Sequence, residues 1–114
     1  MIYVYIDLEN KPILPPLKAY NNVKYIIFYG ANQNAKIKSE IGCRIQKIIC
    51  EKIGNNFLDC KLIDYFSKRI RIKDSEHYII SEDNGYDDWI NYYKTAYKAN
   101  NINRYNSLEE FLYA

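Results

Sequence analysis

The chain has 114 residues, 48% of them hydrophobic, which is enough for one buried core but too short for a catalytic domain plus a separate substrate domain. Sixteen basic against fourteen acidic residues leave a formal net charge of +2, so there is no bulk attraction to nucleic acid or to a membrane surface, and function has to be sought in local charge. Three cysteines cannot close a full set of intramolecular disulfides and lack the paired short spacing of a zinc site, so reduced thiols are expected.

Residues 1–8 are apolar, but Asp7, Glu9 and Lys11 cut the run short of a signal peptide's core. No segment approaches membrane-spanning length, so a soluble cytoplasmic protein without membrane contact is expected. No repeat, low-complexity tract or linker divides the sequence, and residues 1–114 are read as a single domain.

Residues 2–6 and 23–29 are short, β-branched and aromatic, and nearly continuous in apolarity, the pattern of strands buried on both faces. Between them Pro12, Pro15 and Pro16 leave room for a loop and one short helix near 14–20. Gly30 to Asn34 then breaks the chain just past the second strand. Residues 35–53 read two ways. Ile37, Ile41, Ile45, Ile48 and Ile49 recur at helical spacing, yet Ile45 to Ile53 also suits a strand after a break at Gly42.

Further on, Leu58, Leu62, Ile63, Phe66 and Ile70 form the apolar stripe of a helix over 58–72, with Asn55 or Asn56 as its cap. His77 to Ile80 is a buried strand. Tyr86 to Ala99 is a helix expected to carry Trp89, Ile90, Tyr93 and Tyr97 inward. A weak strand near 102–105 precedes Ser107-Leu108-Glu109-Glu110, a capping-box spacing that opens a terminal helix. Strands alternating with helices imply a mainly parallel α/β sheet covered on both sides.

In such a sheet, ligands bind beyond the carboxyl ends of the strands, where successive connections leave for opposite faces. Asp7 ends the first strand and Asp83 follows the strand containing Ile80, so both enter one crevice if those strands are neighbours. Asp87 is four residues after Asp83, and Asp59 lies in the first turn of the 58–72 helix. Helix capping and dipole effects would by themselves explain Asp59, Asp83, Asp87 and Asp88, but not an aspartate ending a buried strand. Clustered carboxylates with few imidazoles suit Mg²⁺ or Mn²⁺ better than zinc.

The single histidine, His77, starts a strand at the opposite end of the sheet, so a Ser-His-Asp or Cys-His mechanism has little support. No glycine-rich phosphate loop is present. The run Lys68-Arg69-Ile70-Arg71-Ile72-Lys73 complements a helix C-terminus. Lys11, Asn32, Gln33, Asn34, Lys36 and Lys38 are better placed to meet a nucleic-acid backbone.

Four segments in this order resemble the PIN-like nuclease superfamily, specifically its small NYN-type bacterial branch. They are Ile6-Asp7-Leu8-Glu9-Asn10, Phe28 to Asn34, Asn56-Phe57-Leu58-Asp59 and Ser81-Glu82-Asp83-Asn84-Gly85-Tyr86-Asp87. The resemblance implies a three-layer PIN-like fold with five strands in the order 3-2-1-4-5. It also implies a short helix at 35–42 followed by a strand at 45–51, and a metal-dependent endoribonuclease acting on RNA or single-stranded DNA. Asp7, Asp59 and Asp83 match the central acids and metal ligands, with Asp87 as a fourth catalytic or metal-binding carboxylate. Asn10, Asn32, Gln33, Asn34 and Lys36 are the expected substrate contacts.

Gly85 departs from the pattern, because many relatives carry a second aspartate there. An inactive PIN-like module binding nucleic acid or protein is therefore the alternative, followed by a small phosphatase or nucleotide hydrolase. PIN-like domains commonly dimerise, and thirteen tyrosines supply material for a homodimer patch.

Overall fold

The computed structural model describes residues 1–8, 14–30, 36–50, 57–72, 74–98 and 101–113. Five strands, β1 (Ile2–Asp7), β2 (Val23–Gly30), β3 (Arg44–Cys50), β4 (Glu76–Ile80) and β5 (Ile102–Tyr105), form one sheet in the order β3-β2-β1-β4-β5. All neighbours are parallel, which gives the α/β order expected. Among the described residues three helices cover it: α1 (Phe57–Arg69), α2 (Gly85–Tyr97) and α3 (Leu108–Leu112).

Alternation along the strands divides the core in two. Tyr5, Ile26, Phe28 and Ile79 pack against Leu62 and Phe66 of α1 and Ile90 and Tyr93 of α2. On the other face Val4, Ile6, Ile27 and Ile80 pack against Leu17 and Leu108, with Phe111 and Leu112 of α3 at the margin. A strand with both faces covered has no use for polar residues, which is why β1 and β2 read as continuous apolar runs. Phe66 is fully buried, and its ring meets Tyr5, His77 and Tyr93 edge-on at 5.5, 5.9 and 5.2 Å. No helix among the described residues is long and apolar enough to cross a membrane.

Several local expectations are corrected. Residues 14–20 form no helix. Leu17 is instead fully buried and bridges Ser39 in parallel, a placement Pro15 and Pro16 permit because it needs only isolated backbone bonds. Residues 36–43 are not helical either, and the isoleucine spacing in this stretch misleads. Ile41 is fully exposed and Ile49 is 45% exposed, while Ile48 is buried in β3, an edge strand with one side open.

In α2 the inward stripe is Tyr86, Ile90 and Tyr93 at spacings of four and three. Trp89 falls at the edge of that stripe and stays 49% exposed. Tyr97, 43% exposed, stacks on Tyr93 and lies under the Arg71 guanidinium. At α3 the Ser107 side chain accepts from the Glu110 N–H as the capping box requires, while the Glu110 carboxylate reaches the Asn106 N–H. The cap at Asn55 or Asn56 lies outside the described residues.

A buried polar chain ties the amino edge of the sheet together. Ser75 Oγ donates to the Ile72 carbonyl at 2.6 Å, so it can only accept from His77 Nε2–H at 2.9 Å. His77 Nδ1 is then bare and accepts from the Tyr5 hydroxyl at 2.9 Å. The ring has no exposed surface, and burial lowers its pKa from 6.5 to about 4, helped by the nearby Arg69 charge.

Because the unfolded chain takes up this proton at a higher pH than the folded one, stability from neutral His77 is complete above about pH 6.5. It is lost as pH falls through about 4. The shift corresponds to roughly 3 kcal/mol. Urea unfolding between pH 4 and 7 should show this decline in the parent and a much flatter one in His77→Gln; parallel curves would refute the assignment.

Candidate active site

The chain leaves β1 and β2 over the face that buries Leu8, Leu17 and Ile37, then returns through α1 and α2 on the other face. The direction of winding therefore reverses between β1 and β4, the position at which open α/β sheets bind ligands. Register carries Asp7 there. Ile6 pairs with Ile80, so Asp7 at the end of β1 stands level with Ser81, just past the end of β4. Ser81 Oγ donates to Asp7 Oδ2 at 3.3 Å and accepts from the Asp83 N–H at 3.1 Å, which links the two acidic segments directly.

A second link comes from α2. Tyr86, 2% exposed, roots its ring in the core and brings its hydroxyl between two carboxylates. It is 2.9 Å from Asp59 Oδ1 and 3.2 Å from Asp7 Oδ2. A phenol has one proton, so the two acids share a single donor. Burial and the adjacent Asp7 and Asp59 charges raise the Tyr86 pKa, which keeps that proton in place.

Burial also pushes the Asp59 carboxyl up. The Tyr86 hydrogen bond opposes this, while Asp83 raises it further through its charge and a shared hydrogen bond. Asp7, Asp59 and Asp83 are thus brought to one place from three separate segments. All offer oxygen donors of the hard kind that suit Mg²⁺ or Mn²⁺. Among the described residues, however, no three His, Cys, Asp or Glu side chains are gathered tightly enough to hold a metal ion as they stand.

Gly85 has a structural reason. Asp83 Oδ1 turns back to accept from the Gly85 N–H at 2.8 Å, and a Cβ on residue 85 would lie only 3.0 Å from that oxygen. The fold-back of Asp83 is compatible with glycine and crowds any larger residue.

Asp87 is held from β5. Arg104 of β5 grips both of its carboxylate oxygens, at 2.8 and 3.2 Å, and holds its pKa below the usual carboxylate range. The same guanidinium donates to the Ser81 carbonyl at 2.8 Å and to the Asn84 and Asn106 side chains. Asp87 therefore anchors the loop that presents Asp83.

Of the expected substrate contacts, Lys36 is exposed, while Asn10, Asn32, Gln33 and Asn34 lie outside the described residues, as do Glu9 and Lys11. The basic run is largely structural. Lys68 pairs with Asp64, and Arg69 lies over the Tyr65 ring and bonds its carbonyl. Lys73 is outside the described residues.

Tyr86, Ser81 and Arg104 were not singled out from sequence. Tyr86 reads as one more core aromatic, and Arg104 sits in a weak strand about twenty residues from its partners. The one available signal was adjacency, since Ser81 and Tyr86 flank Asp83.

Arg104→Gln should cost about 1–2 kcal/mol, mainly through the carbonyl and amide bonds of a well-covered guanidinium, because solvent screens the half-exposed Asp87. Thermal unfolding at neutral pH measures it. A variant as stable as the parent would show that Arg104 does not hold this loop.

A family model described as PIN domain (PIN7) matches residues 1–102. No curated protein and no solved structure matches the chain significantly. With the five-stranded parallel order and the acids at the switch point, the chain belongs to the PIN domain family, whose members are generally nucleases that use divalent metal ions.

Proposed function

We propose that this protein is an endoribonuclease that hydrolyses RNA phosphodiester bonds at the Asp7, Asp59 and Asp83 edge with Mg²⁺ or Mn²⁺. One observation carries the reading: the Tyr86 hydroxyl bridges Asp7 and Asp59 while Asp83 acts on Asp59. Like charges gathered in a partly buried place destabilise a fold unless a cation or a proton offsets them, so such a grouping points to use. The Ile6-Asp7-Leu8-Glu9-Asn10 segment, similar to that branch's strand-ending Asp-x-x-Asn motif, supports placement in the NYN-type branch.

Asp7, Asp59 and Asp83, drawn closer together than they stand here, would hold the ion. When bound, it supplies Lewis-acid polarisation of a phosphate oxygen and a water of lowered pKa. The protein's own contribution is positioning. Ser81 fixes Asp7 relative to the backbone of Asp83, the Gly85 N–H fixes the Asp83 carboxylate, and Tyr86 sets the spacing of Asp7 from Asp59. Arg104, through Asp87 and the Ser81 carbonyl, holds the loop from which Asp83 projects.

Asp7→Asn and Asp83→Asn should each lower RNA cleavage in Mg²⁺ or Mn²⁺ by more than about 100-fold, since even groups that merely orient metal ligands are worth 10–100-fold. Unchanged rates in folded variants would refute the assignment. RNA binding by a parent that takes up no Mn²⁺ in calorimetry would favour the inactive binding module. Tyr86→Phe keeps the ring and removes the shared donor. It should weaken Mn²⁺ binding roughly 10–100-fold by calorimetry, and equal affinity would show that the hydroxyl plays no part in arranging the acids.

A further inference from the structure

Beside the acids, between α1 and α2, lies a groove of about 680 Å³ bordered by Asp59, Ile63, Ser67, Asp83, Tyr86 and Trp89. Its size is within the range of ligand clefts, roughly 300–1,000 Å³. Asp59, Asp83 and Tyr86 belong both to this groove and to the acid cluster, so a molecule reacting at the cluster has the groove as its continuation. The main apolar surface left uncovered there is the indole of Trp89, 49% exposed, whereas Ile63 beneath is buried. Tyr92, 60% exposed, follows one turn along the same flank of α2, with Tyr93 edge-on to it at 5.5 Å.

Charge decides what fits. The carboxylates of Asp59 and Asp83, and of Asp64, which also borders the groove and pairs with Lys68, repel a phosphate entering it but do not repel a neutral heterocycle. They can also accept hydrogen bonds from amino and imino groups on a base edge. A flat aromatic plate with acceptors beside it is suited to an unpaired base, and a base inside a duplex cannot present its face to it.

We propose that Trp89 is a stacking platform for an unpaired base of a single-stranded RNA whose backbone passes the acid cluster, with Tyr92 placed to receive the next base. The proposal rests on the nuclease reading and adds to it a strand preference and the residue that sets it.

Trp89 is the only tryptophan in the chain and so reports on itself. A nuclease-resistant single-stranded phosphorothioate RNA titrated in Mg²⁺ should quench its fluorescence saturably, and the same sequence as a duplex should not. In polarisation with labelled strand, Trp89→Ala should weaken binding about tenfold, the scale of one lost base–aromatic stack, and Trp89→Phe less. Mn²⁺ affinity should be unaltered in both variants.

Strand binding without quenching, equal quenching by duplex, or full affinity in Trp89→Ala would overturn the platform while leaving RNA cleavage by the parent intact. If the parent neither binds nor cleaves RNA, the nuclease reading fails and the platform fails with it.

Discussion

The arrangement of this molecule depends on the parallel pairing of β1 on both of its sides. That pairing takes up the backbone hydrogen bonds of the central strand and fixes its register against β2 and β4 at once. A slip of one residue would exchange Tyr5 with Val4 and Ile6 between the two halves of the core, so packing on both faces resists it. With register fixed, Asp7 has one place to be, at the carboxyl edge beside Ser81.

The same strand organises polar groups at its two ends in opposite ways. Near the amino edge, Tyr5, His77 and Ser75 form a chain in which donors and acceptors match and the ring is held neutral. At the carboxyl edge, Asp7, Asp59 and Asp83 are all acceptors, and Asp7 and Asp59 share the single proton of Tyr86. A matched network of neutral groups holds a fold together, whereas like charges brought together work against it.

The strands of the centre were legible because burial on both faces leaves a run of apolar residues that no amphipathic helix shows. The edge strand β3 was not legible from periodicity, since its isoleucines fall by chance at helical spacing; the strand expected at 45–51 came from the family resemblance, and β3 bears it out. The acids Asp7, Asp59 and Asp83 could be read from their positions at the ends of elements, which local sequence reveals. Arg104 could not, because its link to Asp87 and Ser81 exists only once β5 lies beside β4. The Arg104 hold on Asp87 is hidden from local sequence for the same reason. Trp89 was assigned inward on hydrophobicity alone, although the stripe from Tyr86 to Tyr93 was already filled without it.

Gly85 marks the point at which the Asp83 carboxylate touches its own loop. The turn that opens α2 folds the Asp83 carboxylate back onto residue 85, so a side chain placed there would press on the end of a rotatable carboxylate and not on backbone. An aspartate at residue 85 would therefore push Asp83 Oδ1 aside by a few tenths of an ångström and set a like charge beside it, so that the two carboxylates would be coupled. The charge carried by this edge and the position of Asp83 are thus set together, at one residue.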